Sequence, residues 1–267
     1  MIAELHHKPT PPPQTPSDDV AVSLQHIDLN FGPKVVLSDL SIDFKRGQVT
    51  TVIGLSGAGK STILRLIDGL RQPNAGYVYI KGENIIGLEE RELNEIRRKM
   101  GFAFQAAALF DSLTVMQNVS FPLYEHTKLS RDEIHKRVED TLEALGLSDV
   151  SDRLPAELSG GMQKRVGFAR AIVNEPEIVL FDEPTTGLDP IMTNVITDSI
   201  KAIQNRLHAT SIVVMHDMPS VYAISDNIAM LFEGSIIESG PAKEFRRSKN
   251  PIVQQFLEGS EVGPIPL

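Results

Sequence analysis

"VTTVIGLSGAGKSTILRLIDGL", Val49 to Leu70, carries strand, loop and helix signals in unbroken order. The β-branched run at its start enters a glycine loop. The residues after the loop place Ile63, Leu64 and Ile67 on one helical face before Gly69 supplies a C-terminal stop. Gly54, Gly59, Lys60 and Ser61 satisfy the spacing G-x-x-x-x-G-K-[ST], which chance would produce in a chain of 267 residues at a rate on the order of 1%. Ser56, Gly57, Ala58, Gly59, Lys60, Ser61 and Thr62 then form a phosphate cradle. Backbone N–H groups point into a concavity at a helix N-terminus, Lys60 reaches the β- and γ-phosphates, and the Ser61 hydroxyl ligates Mg²⁺. An α/β P-loop NTPase is the fold this stretch predicts.

The chain downstream keeps the same rhythm. "EIVLFDEP" (177 to 184) and "TSIVVMHD" (210 to 217) are apolar runs of core-strand length whose C-terminal ends deliver charged residues or histidine. Between them Asp189 caps a helix with Pro190 at its first position and Ile191, Val195, Ile196, Ile200 and Ile203 facing inward. "SRDEIHKRVEDTLEALGL" opens on a Ser130/Glu133 capping box, repeats Ile134, Val138, Leu142 and Leu145 at helical spacing, and stops at Gly146. "LFEGSIIESGP" (231 to 241) reads as a hairpin turning at Glu233 and Gly234. Strands alternating with helices imply a mostly parallel sheet with ligands beyond its carboxyl ends. A proline-rich tail is expected over residues 1–21, a globular ATPase domain over 22–245 with a strand-poor helical insert at about 106–158, and an extension over 246–267.

Composition narrows the class. No cysteine is present, so disulfides and thiolate metal sites are excluded and a reducing compartment fits. The net charge of −9, without a long basic run, makes nucleic acid a poor partner. No stretch reaches the 18 uncharged apolar residues of a membrane span. The first residues lack a signal-peptide core.

Asp182 ends the run "IVLFDE" and is placed to hold Mg²⁺ beside the loop, and Glu183 follows where a base for the attacking water is needed. "LSGGMQKR", Leu158 to Arg165, is a second glycine turn without a phosphate lysine of its own. Ser159 as N-cap leaves free N–H groups and the positive end of a helix dipole facing outward, an anion site in its own right.

With the loop, "LSGGMQKR", "FDEP", "GLDP" and "VVMHD" in this order, the chain over roughly residues 22–245 resembles the nucleotide-binding domain of ATP-binding cassette (ABC) proteins. The resemblance implies a RecA-like core with an antiparallel β subdomain and a helical subdomain. It implies a head-to-tail homodimer with two ATPs at the interface, where Ser159, Gly160 and Gly161 serve the nucleotide held by the second copy. It also assigns Phe31 to adenine stacking, Gln105 to Mg²⁺ and the attacking water, Asp189 to the loop crossing between protomers, and His216 to the γ-phosphate. Ser61, Gln105 and Asp182 are the implied metal ligands, and ATP and Mg²⁺ the cofactors.

"RLPAELSGG" (153 to 161) resembles bacterial cassettes made as separate subunits, which implies an integral membrane permease as another polypeptide, docked near Gln105 and the helical insert. "FQAAALFDSLTVMQNVSFPLYEHTKLS" (104 to 130) and the ending "QFLEGSEVGPIPL" (255 to 267) look like the Mla-type ATPases of lipid transport systems. Those work with an Mce-domain lipid-binding protein, with room for a small regulatory subunit, and move phospholipids between the inner and outer membranes. The ATPase would sit peripherally on the cytoplasmic face of the inner membrane. An amino-acid or other small-solute importer shares the catalytic motifs and is the second reading; a soluble ABC ATPase acting on nucleic acid is a distant third, because the acidic chain announces no basic face. The ending with Gly263, Pro264 and Pro266 has no part in ATP chemistry and is expected to pack on a neighbouring subunit.

Overall fold

The computed structural model describes residues 12–266. β1 (Val20–Phe31) and β2 (Lys34–Lys45) form a hairpin, β3 (Val49–Ile53) leads into α1 (Lys60–Ile67), and β4 (Ala75–Ile80) and β5 (Glu83–Asn84) return to the hairpin's sheet. α2 (Glu90–Arg97) and β6 (Met100–Ala103) precede three helices, α3 (Val115–His126), α4 (Arg131–Ala144) and α5 (Gly160–Ile172). β7 (Ile178–Asp182), α6 (Pro190–Leu207), β8 (Thr210–Val214) and α7 (Met218–Ile224) then alternate. The hairpin β9 (Asn227–Phe232) and β10 (Ser235–Pro241) leads to α8 (Ala242–Phe245) and α9 (Pro251–Glu258).

Two sheets result. The antiparallel one runs β2-β1-β4-β5, and the larger runs β10-β9-β3-β8-β7-β6, parallel throughout except at β10. Burial on both faces explains why the runs Ile178–Phe181 and Ile212–Val214 are apolar without a break. Val179, Phe181 and Val213 face a core shared with α3 to α6, while Ile178, Leu180, Ile212 and Val214 face a second core under the antiparallel sheet. α1 lies in that second core through Ile63, Leu64, Leu66 and Ile67. Phe168 of α5 meets Phe181 of β7 edge-on, ring centroids 5.3 Å apart, which seats the helical group on the sheet.

Local expectations hold in detail. Ser130 and Glu133 form the capping box of α4, Asp189 caps α6 ahead of Pro190, and Ser159 caps α5. Glu233 and Gly234 turn β9 into β10 with φ of 46° and 81°, the two left-handed positions of a tight hairpin.

Two expectations change and a third gains detail. β1 opens at Val20, and Gln14 already bonds both amide atoms of Gln25 through its backbone, so the fold takes hold before residue 22; residues 1–11 of the expected tail lie outside the described residues. Ile191 is 76% exposed rather than inward, because the first turn of α6 projects past the sheet; Ile196, Ile200 and Ile203 do the burying. The C-terminal ending, expected to meet a neighbouring subunit, is also anchored on its own chain. Gln255 of α9 accepts from Ile265 N–H at 2.7 Å and donates to the Ser260 carbonyl at 3.2 Å, and Ile265 joins the larger core. Gly263 lies so close to that amide that a Cβ would stand 2.3 Å from Gln255 Oε1, so a larger residue there would displace the Gln255 side chain.

Asp68 ends α1. Burial pushes its carboxyl up to about 6 from 3.8, against the Leu70 N–H bond and Arg97. A raised folded value means that the ionised carboxylate weakens the fold above about pH 6, and that this cost disappears as pH falls toward the unfolded value. Asp68→Asn keeps an acceptor for Leu70. It should therefore raise stability at pH 7.5 by on the order of 2 kcal/mol, with the gain fading toward pH 4, as chemical denaturation at the two pH values would measure.

Candidate functional site

β3 runs into Gly54, whose φ is 151° and whose hypothetical Cβ would strike the Leu231 carbonyl oxygen at 2.3 Å. The chain therefore turns sharply off the sheet only because no side chain is present. Gly59, at φ 104°, precedes α1 without a side-chain cap, which leaves the first-turn N–H groups of the helix directed at the space above the sheet. Lys60 is 6% exposed; its ammonium donates to the Gly54 and Leu55 carbonyls, each at 3.1 Å, and lies 3.4 Å from Glu183 Oε1.

The ends of the neighbouring strands bring the remaining groups to the same place. Asp182 ends β7, and its Oδ1 accepts from Ser61 Oγ at 2.7 Å. Burial raises the Asp182 carboxyl above its ordinary value, the Ser61 hydrogen bond opposes that, and the Glu183 charge adds to it. Glu183 turns off the strand at φ 46°, in the left-handed region rare for a residue with a side chain. Its N–H donates to the Val214 carbonyl at 2.9 Å, and its Oε2 lies 2.9 Å from the donor Thr186 Oγ1 and 2.8 Å from His216 Nδ1. His216 follows β8, and Gln105 follows β6. Lys60, Glu183, Thr186 and His216 thus form one connected polar network at the carboxyl edge of the sheet.

A cleft of about 610 Å³ covers this network, and its lining includes Phe31, Ser56, Gly57, Gly59, Lys60, Ser61, Thr62, Gln105, Glu183 and His216. That volume suits a nucleotide. Asp182 stands beside it through Ser61. Ala58 instead packs against the core under the antiparallel sheet. Phe31 is 44% exposed, with the Arg71 guanidinium 4.5 Å from its ring centroid, a cation–π contact at the cleft's edge. Lys34, Val36, Thr186 and Phe256 also line the cleft. Thr186 was within reach of the sequence, three residues beyond Glu183. Phe256 arrives from α9, and no local pattern announces it.

Ser159, Gly160, Gly161 and Asp189 do not line this cleft. Ser159 and Gly160 are exposed at the open end of α5, whereas Gly161 is buried so tightly that a Cβ would stand 2.0 Å from Met192 Cε. Asp189 accepts from Ile191 N–H at 2.9 Å and Met192 N–H at 3.0 Å. One chain therefore presents a phosphate cradle with its acids in one place and a second helix N-terminus, free of lysine, in another.

A second hollow of about 410 Å³ lies next to Gln105. Phe102, Phe104, Phe110, Phe121 and Pro122 floor it, and Arg97, Arg98 and Arg170 line it as well. Arg170 of α5 donates to the Ala107 and Ala108 carbonyls at 2.9 and 2.8 Å. Those two alanines both have positive φ, so the guanidinium holds the loop after Gln105 in a conformation it would not keep alone.

Comparison with known proteins places these features. The model of the family described as "ABC transporter" matches residues 37–186. The intermembrane phospholipid transport system ATP-binding protein MlaF of Haemophilus influenzae is 39% identical over 244 residues, 91% of this chain and 92% of that protein. The chloroplastic protein TRIGALACTOSYLDIACYLGLYCEROL 3 of Arabidopsis thaliana is 43% identical over 264 residues, 92% of this chain and 76% of that protein. Among solved structures, the dimeric ATP-binding cassette MJ0796 in a post-hydrolysis state bound to ADP and Pi superposes with a TM-score of 0.76 at 33% identity, covering 83% of this chain and 98% of that one.

Proposed function

Because the chain belongs to the ABC transporter family and is an ATPase of it, we propose that it drives phospholipid movement between two membranes as the motor subunit of an Mla-type transporter. The observation that carries the motor is the convergence of Lys60, Asp182, Glu183 and His216 on one cleft. The observation that supports the cargo is similarity to MlaF along nine-tenths of both chains, well beyond the catalytic motifs themselves. A lipid-named relative from a chloroplast points the same way.

ATP enters with adenine on Phe31 and its phosphates on the N–H groups from Gly57 to Thr62. Lys60 exchanges its bonds to the Gly54 and Leu55 carbonyls for the γ-phosphate, leaving Glu183 to face the attacking water. Ser61 Oγ and Asp182 Oδ1 are hard oxygen donors only 2.7 Å apart and fit Mg²⁺, with Gln105 as a third ligand from the cleft wall. When bound, the ion neutralises charge on the phosphates. Water attacks the γ-phosphorus, the bond to the bridging oxygen of ADP breaks, and the water's proton passes to Glu183. His216 donates to the γ-phosphate oxygens, and its 2.8 Å contact with Glu183 keeps base and donor in register.

The exposed Ser159–Gly160 end of α5 supplies the γ-phosphate of a second copy, with Gly161 setting the close packing and Asp189 in the loop beside it. ATP then holds two copies together, and hydrolysis lets them part. The Phe-floored hollow beside Gln105 receives a short helix of an integral permease, whose apolar side chains would pack on Phe102, Phe104, Phe110 and Phe121. Among the described residues no helix is long and apolar enough to cross a membrane, and that permease holds the chain peripherally on the inner membrane's cytoplasmic face. An Mce-domain protein carrying the lipid and a small regulatory subunit complete the assembly.

Glu183→Gln should leave ATP bound and cut turnover by at least about 100-fold; wild-type-like phosphate release would remove Glu183 from the mechanism. The cargo reading is tested by purifying the tagged chain with its partners from detergent-solubilised host membranes, followed by mass spectrometry of proteins and lipids. A permease with an Mce-domain protein and bound glycerophospholipid is expected. A permease with a soluble solute receptor would establish an importer instead.

A further inference from the structure

α5 carries three basic side chains that each grip backbone carbonyls of a different segment. Arg165 donates to Leu145 and Gly146, Arg170 to Ala107 and Ala108, and Lys164 to Pro184 at 2.8 Å and Thr186 at 2.7 Å. Of the three, Lys164 reaches the turn that carries Glu183.

That turn needs support. Glu183 holds a left-handed φ of 46°, and such a conformation persists only where surrounding contacts over-determine it. Within the turn, Thr186 N–H donates to the Glu183 carbonyl at 3.2 Å and Leu188 N–H to the Thr185 carbonyl at 3.3 Å, both long bonds. Lys164 brackets the segment from outside by taking the carbonyls on either side of Thr185, which is itself buried. Thr186, whose carbonyl Lys164 holds, also donates its hydroxyl to Glu183 Oε2 at 2.9 Å. A chain of bonds therefore runs from Lys164 through Thr186 to the carboxylate. Burial draws the Lys164 ammonium below its ordinary value and the Glu183 charge opposes this, as expected for a cation half-enclosed beside that acid.

The other end of α5 gives this linkage its meaning. Lys164 stands just over one helical turn from Ser159, the exposed N-cap of the same rigid helix. A shift of α5 moves both the group offered to a second copy and the clamp on the chain's own base. We infer that Lys164 is a positioning residue for hydrolysis: its ammonium fixes the Pro184–Thr186 backbone, and so aligns Glu183 with the helix whose N-terminus meets the partner's nucleotide. The inference rests on Glu183 as base and on α5 acting across a dimer.

The test is steady-state ATP hydrolysis by the full chain, with Glu183→Gln measured in parallel. Lys164→Met should lower kcat by about 10- to 100-fold while KM for ATP stays within about twofold of wild type, because Lys164 does not line the nucleotide cleft. Lys164→Arg, which keeps a cation and several donors, should recover most of the rate. The Glu183→Gln/Lys164→Met double variant should still dimerise with ATP, showing that binding and folding survive. If Lys164→Met does not fold, Lys164→Gln is read by the same criteria. Wild-type kcat in Lys164→Met, a loss expressed in KM, or an equal loss in the Arg variant would overturn the inference. Retained hydrolysis by Glu183→Gln would instead overturn the base on which it rests.

Discussion

Burial of the parallel sheet on both faces is the constraint from which the rest follows. Once Ile178 to Phe181 and Ile212 to Val214 are committed to the two cores, a polar group on these strands has nowhere to go but the strand ends. β3, β7, β8 and β6 are parallel, so their carboxyl ends share one edge, and the glycine loop, Asp182, Glu183, His216 and Gln105 meet there although they are far apart in sequence. The site is concentrated where the parallel strands bring their carboxyl ends together.

Concentrating charge at that edge has an electrostatic cost, and the network answers it locally. Two neighbouring carboxylates, Asp182 and Glu183, repel, and burial raises Asp182 further. Ser61 offsets part of this at Asp182, while Lys60, Thr186 and His216 surround Glu183. Ser61, Lys60 and His216 are also groups that phosphate or Mg²⁺ would engage, so ligand binding would redistribute bonds among groups already in place. Little reorganisation is then left for the chemical step.

Much of this was legible in the sequence, for reasons that differ from element to element. The glycine loop and α1 were readable because their requirements are local: positive φ at Gly54 and Gly59 and an uncapped helix start admit few residues. The caps at Ser130, Ser159 and Asp189 were readable for the same reason. Ile191 was misplaced because helical spacing tells which residues share a face but not where the helix runs beyond the core. The C-terminal ending escaped because its anchor is a single amide, Gln255, that satisfies an acceptor and a donor of a segment several residues away. The clamps of Lys164 and Arg170 escaped for a related reason. Their targets are main-chain carbonyls, which every residue possesses, so the partner's identity leaves no trace in sequence.

Those clamps also bear on how a change at one end of the molecule is felt at the other. α5 touches the loop after Gln105 through Arg170, the turn after Glu183 through Lys164, and solvent through Ser159. Gly167 brings the helix so near Ala107 that a Cβ would stand 3.2 Å from its backbone, which leaves no slack between helix and loop. A closely packed helix held at several points moves as a body. In the proposed assembly, a permease at the Phe-floored hollow, a second copy at the helix N-terminus and the alignment of Glu183 would all act on this one element, and a displacement favoured by any one of them would be imposed on the other two.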